Sequence, residues 1–160
     1  MPSKIDAPVM HHTALSVHDF DRALRFYTGF VGFEIEGEMD RRQEPALATV
    51  VGLPGACIRW AMLRLGSQRI ELFKYYEPVG DTQPRRQCDL GYNHIGFVVP
   101  DVDKVHEQAV QAGYACVSPP QTLRNGATRA FYLAEPEGAV TEFIQFLNPN
   151  APGAPGADHG

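Results

Sequence analysis

A short pattern of residues occurs twice in this 160-residue chain, once near its start and once just past its middle. Residues 12–19 read HTALSVHD and residues 94–101 read HIGFVVPD. Both copies therefore run histidine, four residues, valine, one residue, aspartate. Each copy is followed by apolar residues at helical spacing and then by strand-like segments. A repeat of this length indicates a fold built from two similar supersecondary units.

Each repeat predicts a strand, a helix and three further strands. Asp19 is expected to cap a helix that ends at Gly29, and Asp101 is expected to cap one that ends at Gly113. The later strands are predicted at VGFEIEG, 57–65 and 68–75 in the first repeat, and at YACV, 127–134 and 139–147 in the second. The order is βαβββ, twice.

These elements predict an α+β fold in one domain spanning residues 1–147. Module one covers about 8–76 and module two about 90–147. Residues 38–56 are read as an insertion in module one, with a short helix that ends at Gly52. The Pro- and Gly-rich segment 148–160 has no apolar periodicity, so we expect a flexible tail.

The period of two in a strand predicts which side chains share a face. His12 and His94 open the first strand of each module, and small residues alternate with them along that strand. Glu71 and Glu142 lie in the last strands. If the first and last strands of each module meet, each module brings one histidine close to one glutamate. The same alternation predicts that His11 points away from His12.

Composition indicates which partners and which cellular compartment to expect for this protein. The formal net charge is −5 and no basic face is evident, which argues against a nucleic-acid partner. The three cysteines show no CxxC spacing and read as free thiols of a reducing compartment. No apolar run approaches the ~20 residues of a membrane span. The N-terminal residues lack the apolar core of a signal peptide. We therefore expect a cytoplasmic protein with no membrane partner.

The doubled βαβββ unit resembles the vicinal oxygen chelate superfamily, which includes glyoxalase I, methylmalonyl-CoA epimerase, extradiol dioxygenases and the fosfomycin- and bleomycin-resistance proteins. The resemblance rests on HHTALSVHDFDRALRFYTGFVGFEI and NHIGFVVPDVDKVHEQAVQAG, and on the endings IELF and EPEGAVTEFIQF. It covers roughly residues 8–147. It implies a curved sheet around a shared metal-binding cleft. It also implies a homodimer, with the paired modules either in one chain or exchanged between two.

The resemblance also implies the site and its chemistry. The family's metal positions fall on His12, Glu71, His94 and Glu142. Mixed nitrogen and oxygen ligands suit one divalent ion, Ni²⁺, Zn²⁺, Fe²⁺, Co²⁺ or Mn²⁺. The expected activity is that of a glyoxalase I-like lyase or isomerase on a small molecule with adjacent oxygens. A proton would leave the carbon beside the metal-bound carbonyl, through an enediolate or enolate. Glu142 would be the base and Glu71 its partner on the other face.

Three other functions of the same fold stay open. An extradiol dioxygenase needs two His and one Glu with open positions for catechol and O₂, and the extra Glu71 would fill one of them. An epimerase of the methylmalonyl-CoA type usually has Gln at the position of Glu71. A non-catalytic binding protein of the resistance type usually lacks the full set of metal ligands.

The substrate-binding wall is predicted to be mostly apolar. Its candidate residues are Trp60, Met62, Phe73 and Tyr132, with Arg59 and Arg124 as anchors for a carboxylate or phosphate. Glutathione is not the expected substrate component, because the family's glutathione-binding Arg on the first strand is replaced here by Ser16.

Overall fold

The computed structural model describes residues 8–83, 86–89, 91–92, 94–135 and 139–156. The chain divides into two compact units, Met1–Thr82 and Gln83–Gly160. Some predicted elements fall partly outside the described residues. These are residue 90 at the start of module two, residues 136–138 of the EPEG turn and residues 157–160 of the tail.

The first unit is a four-stranded sheet with two α-helices. Its strands are β1 (Thr13–Ser16), β2 (Glu34–Arg42), β3 (Cys57–Leu65) and β4 (Gln68–Glu77), and its α-helices are α1 (Phe20–Arg25) and α2 (Pro45–Val51). The strand order is β1-β4-β3-β2, with β1 parallel to β4 and the other pairs antiparallel. The first and last strands of the unit therefore pair directly, as the sequence predicts.

The second unit repeats this topology. Its strands are β5 (Ile95–Val98), β6 (Gln121–Leu123), β7 (Thr128–Leu133) and β8 (Thr141–Phe146), and its helix is α3 (Val102–Gln111). The order is β5-β8-β7-β6, again with the outer pair parallel and the others antiparallel. The α+β architecture of two similar units is therefore confirmed.

Both predicted caps form, because each carboxylate accepts a bond from a free amide of the first helical turn. The Asp19 side chain accepts from the Arg22 amide, and the Asp101 side chain accepts from the Lys104 amide. α2 ends at Gly52, which takes a left-handed conformation.

Three boundaries differ from the prediction. The first helix does not stop at Gly29, because it continues as a π-helical stretch over Phe26–Val31 and ends at left-handed Gly32. β2 runs on to Arg42, well into the predicted insertion. The predicted YACV strand is reduced to one isolated bridge between Cys116 and Leu133, since the next strand pairs from Gln121 onward.

Each unit has its own apolar core on one face of its sheet. In the first unit, Phe20 and Ala23 of α1 are buried together with Leu15 and Leu72 of the sheet. In the second unit, Val102 and Ala109 of α3 are buried, and the ring of Phe131 stacks on that of Phe143 with centroids 5.6 Å apart. The opposite face of each sheet is therefore available for polar side chains.

Residues 148–156 form turns that contact the second unit. Ala151 and Ala154 are buried, and the Arg124 guanidinium donates to the Pro152 carbonyl at 3.3 Å. Flexibility of the segment beyond residue 147 stays a prediction. Among the described residues, none of the helices has the length and apolar character needed to cross a bilayer.

Candidate metal centre

The strand registers place the two glutamates at equivalent positions. Ala14 of β1 lies opposite Glu71 of β4, and Gly96 of β5 lies opposite Glu142 of β8. In both units the next residue of the first strand lies opposite the next residue of the last strand, so the register is the same. Each glutamate thus projects from the sheet face opposite its unit's core, because alternate residues of a strand face opposite sides.

The histidine just before each first strand faces that glutamate. His12 Nε2 lies 3.0 Å from Glu71 Oε2, and His94 Nε2 lies 3.3 Å from Glu142 Oε2. The histidine side chains keep 34% and 30% of their surface exposed, and the glutamates keep 14% and 18%. Each unit therefore presents one imidazole and one carboxylate side by side, partly open to solvent.

This donor set fits a divalent transition ion. Imidazole nitrogen and carboxylate oxygen are ligands that Zn²⁺, Ni²⁺, Co²⁺, Fe²⁺ and Mn²⁺ all accept. Two donors in each unit are fewer than such an ion needs. No group of three or more His, Cys, Asp and Glu side chains suited to an ion occurs in the part of the chain that the structure describes. Each pair is therefore an incomplete ligand set by itself.

The contact between His11 and His12 corrects the sequence prediction. His11 does not point away from His12, because both residues precede β1 and the alternation of a strand does not apply to them. Their Nδ1 atoms lie 2.8 Å apart and their rings are nearly perpendicular. His12 thus has its Nδ1 against His11 and its Nε2 against Glu71. Metal-binding histidines use their second nitrogen in this way to fix the ring.

Trp60 gives Glu71 a second partner. Its indole Nε1 donates a hydrogen bond to Glu71 Oε1, while Oε2 of the same carboxylate faces His12. Trp60 lies on the neighbouring strand β3, two residues before Met62, and Met62 is opposite Glu71. Trp60 and Glu71 therefore share a face of the sheet. Gly37 of β2 makes room for the ring, because a Cβ there would lie 3.3 Å from an indole carbon.

Four of the six predicted substrate-binding residues share a face with a glutamate. Trp60, Met62 and Phe73 lie on the Glu71 face, and Tyr132 lies directly opposite Glu142. The ring of Tyr132 is 5.1 Å from that of His94. Burial, together with the negative charge of Glu142, raises the pKa of the Tyr132 phenol.

The two predicted arginine anchors have other partners. Arg59 lies on the opposite face of its sheet from Glu71, where it binds Asp21 and Glu38 and stacks over the ring of Phe20 at 4.3 Å. Its neighbours on β3 alternate with it, so it cannot join the Glu71 face. Arg124 lies in a 3-10 turn and contacts the C-terminal segment.

Tyr75 was missed by the sequence analysis, although the alternation of β4 would have found it. It is two residues beyond Phe73 and shares the face of Glu71. Burial raises the pKa of its phenol, and the Glu71 charge adds to that effect. A surface pocket of about 580 Å³ lies elsewhere in the first unit, lined by residues between Gln43 and Ala56 around α2. None of the predicted site residues lines it.

The doubled topology, with one His–Glu pair in each unit, defines the class of protein as a fold of two similar modules. Comparison with known proteins gives the family: residues 9–143 match the Glyoxalase/Bleomycin resistance protein/Dioxygenase superfamily, and the chain belongs to it. This is the family that the sequence motifs indicate.

Individual relatives agree with this assignment. The chain is 34% identical over 151 residues to a 2-epi-5-epi-valiolone epimerase of Actinomyces sp., which covers 86% of this chain and 79% of the relative. A glyoxalase family protein of Bacillus cereus has the same fold, with a TM-score of 0.79 and 24% identity over 92% of this chain and all of that one. The trypanothione-dependent glyoxalase I of Leishmania major matches with a TM-score of 0.61 and 20% identity over 87% of each chain.

Proposed function

We propose that this protein is a metal-dependent isomerase of the superfamily, of the epimerase type, which moves a proton on a carbon next to a carbonyl. The observation that carries the proposal is the pair of equivalent His–Glu contacts, one in each unit, at 3.0 and 3.3 Å. The identity to an epimerase favours this reaction over that of a glyoxalase I-like lyase.

The four ligands of the proposal are His12, Glu71, His94 and Glu142. Two neutral imidazoles and two carboxylates balance the charge of a divalent ion. They leave one or two positions for two neighbouring oxygens of a small substrate. The proposal covers a site built within one chain and one built across a homodimer.

A bound divalent ion would polarise the substrate carbonyl and stabilise the negative charge that develops when the adjacent C–H bond breaks. The chain's own residues would do the rest. Glu142 would take the proton, because a carboxylate close to the reacting carbon can act as general base. Epimerisation also needs a proton to arrive on the opposite face of that carbon, and solvent would supply it: Glu71, the partner carboxylate on that face, would orient the water molecule that delivers the proton, and Glu142 would return its own proton to solvent.

The apolar and aromatic side chains on the two glutamate faces would surround the substrate. Met62, Phe73 and Tyr132 place hydrocarbon or ring surface beside the carboxylates. Such surroundings would limit water near the reacting carbon and strengthen the electrostatic contacts of the carboxylates.

Proton exchange in D₂O tests this function. Purified protein supplied with each of the five ions in turn is incubated with 2-epi-5-epi-valiolone and followed by ¹H NMR. The proposal predicts deuterium at the carbon beside the carbonyl and formation of an epimer. The matched probe is the hemithioacetal of methylglyoxal and glutathione. Turnover of the hemithioacetal alone would replace the epimerase proposal with a glyoxalase I-like lyase, and no reaction of either probe with any ion would overturn it.

A further inference from the structure

The two glutamates occupy equivalent strand positions but have different surroundings. In the first unit, Trp60 donates to Glu71 Oε1, so both oxygens of that carboxylate have a partner. Trp60 lies two residues before Met62, which is opposite Glu71. Ala130 lies two residues before Tyr132, which is opposite Glu142, so Ala130 is the position equivalent to Trp60 in the second unit. Alanine has no side-chain donor. Within the described parts of the chain, Glu142 therefore has no counterpart of the indole contact that Glu71 has.

The orientation of Trp60 is fixed by packing as well as by its hydrogen bond. The far edge of the indole lies over Gly37, where any side chain would come within 3.3 Å of the ring. A Cβ that close is tighter than ordinary van der Waals contact, so the ring or the strand would have to move. The lack of a side chain at Gly37 thus lets the indole lie across β2 and β3 and reach Glu71.

We infer that Trp60 is a positioning residue that holds Glu71 in the orientation of a metal ligand, and that Glu142, which contacts His94 but has Ala130 in place of the indole, is less restrained and takes the substrate proton. The inference rests on the proposed metal site. A ligand held by a second hydrogen bond loses less freedom when the ion binds, and loss of such a partner typically lowers metal affinity about 10- to 100-fold. A base, in contrast, must change its position or its protonation during each turnover.

Trp60 is the single tryptophan of the chain, which makes the inference directly measurable. Its indole N–H gives one side-chain cross-peak in a ¹⁵N–¹H spectrum of the metal-free protein. Glu71→Gln removes the charge that accepts this hydrogen bond, so the cross-peak should move upfield and its exchange with water should become faster. Glu142→Gln should leave the cross-peak in place. An indole signal that ignores Glu71→Gln would show that the hydrogen bond does not exist and would overturn the inference.

Metal affinity provides the second measurement. Calorimetric titration of the metal-free protein with Zn²⁺ is compared for the native chain and for Trp60→Phe, which keeps an aromatic ring and loses the donor. We expect Zn²⁺ binding to weaken about 10- to 100-fold. Gly37→Ala keeps Trp60 but places a methyl group against its ring, and it should also weaken Zn²⁺ binding. Tyr76→Phe is the matched control, since it removes a donor to a carboxylate, Asp40, from the same strand as Glu71 but on its other face.

The outcomes separate the two proposals. If the native protein binds none of the five ions, the proposed function fails and the indole spectrum still decides whether Trp60 positions Glu71. If the native protein binds Zn²⁺ and folded Trp60→Phe and Gly37→Ala bind it equally well, the metal site stands and the positioning role is wrong. Circular dichroism of each variant establishes that it is folded.

Discussion

At the scale of single residues, the two carboxylates of the candidate site are expected to respond differently to the same substitution. Glu142→Gln keeps an oxygen that can contact an ion but cannot take a proton. We expect metal content to persist and proton exchange to fall about 10²- to 10⁴-fold, the usual contribution of a general base. Elemental analysis and ¹H NMR in D₂O measure the two effects. Glu107→Gln, at an exposed position of α3, is the control. Unchanged exchange in Glu142→Gln would remove Glu142 from the role of base.

Gly96 predicts a second effect at this scale. A Cβ at this position would lie 3.2 Å from Glu142 Oε2, so the carboxylate would have to shift by a few tenths of an ångström. The equivalent position in the first unit is Ala14, which already carries a Cβ. We expect Gly96→Ala to reduce the rate of proton exchange while thermal stability changes little. Ala14→Gly is the reciprocal variant and should affect the rate less. Equal rates in Gly96→Ala and native protein would show that the space beside Glu142 does not matter.

At the scale of elements, β2 is tied to its sheet by ion pairs on the same face as Glu71, since Arg69 lies two residues before Glu71 on β4 and Arg64 lies opposite Arg69 on β3. Glu36 of β2 accepts from the Arg69 guanidinium at 2.6 and 2.9 Å, and it lies 3.3 Å from Arg64. The hydrogen bond from Arg69 lowers the pKa of Glu36. Because the folded state then binds the proton less tightly than the unfolded state, this contribution to stability is fully present above the pKa that the carboxyl has in the unfolded chain. It is lost as the pH falls through the lower, folded-state pKa.

The acid response of Glu36→Gln tests this argument. The native protein should have the higher melting temperature at pH 7, and the difference should disappear on acidification below the folded-state pKa of Glu36. High salt should reduce the difference at pH 7, because the pair is at the surface. Thermal melts across pH measure both effects, with Glu107→Gln as the variant of equal charge change. A difference that stays constant down to strongly acidic pH would mean that the ion pair is not its source.

Sequence patterns predicted elements well where a local rule decides the structure. Asp19 and Asp101 cap their helices as the pattern requires, and the alternation of β4 and β8 places the glutamates opposite the core. The patterns failed where tertiary contacts decide. Gly29 did not end its helix because the π-helical stretch continues to bury Phe26 and Tyr27. His11 was misplaced because β1 begins one residue after His12.

The partners of the site residues were the least predictable part. Nothing local in the sequence shows that Trp60 donates to Glu71, since the contact is diagonal across two strands and depends on Gly37 in a third. Arg59, which adjoins Trp60 in sequence, was predicted to anchor a carboxylate or phosphate of the substrate. In a strand, adjacency means opposite faces, and Arg59 binds Asp21 and Glu38 instead.

At the scale of the whole molecule, the duplication accounts for the composition of the candidate site. Each unit has its own core and the same strand order, and each contributes one histidine and one glutamate at matching positions. The copies then differ around that common frame. The first has a tryptophan beside its carboxylate and the second an alanine, which we relate to a ligand role and a base role.

The central claim is that the two His–Glu pairs together hold one metal ion. Elemental analysis of the purified native protein, beside a His12→Ala/His94→Ala variant, tests it most directly. We expect about one divalent ion per chain in the native protein, a typical occupancy for a mononuclear site of four ligands, and almost none in the variant. His18→Ala/His106→Ala removes two histidines outside the proposed site and should retain the ion. Native protein that holds no ion and takes up none of the five when supplied, or a double variant that binds as well as the native chain, would contradict the claim.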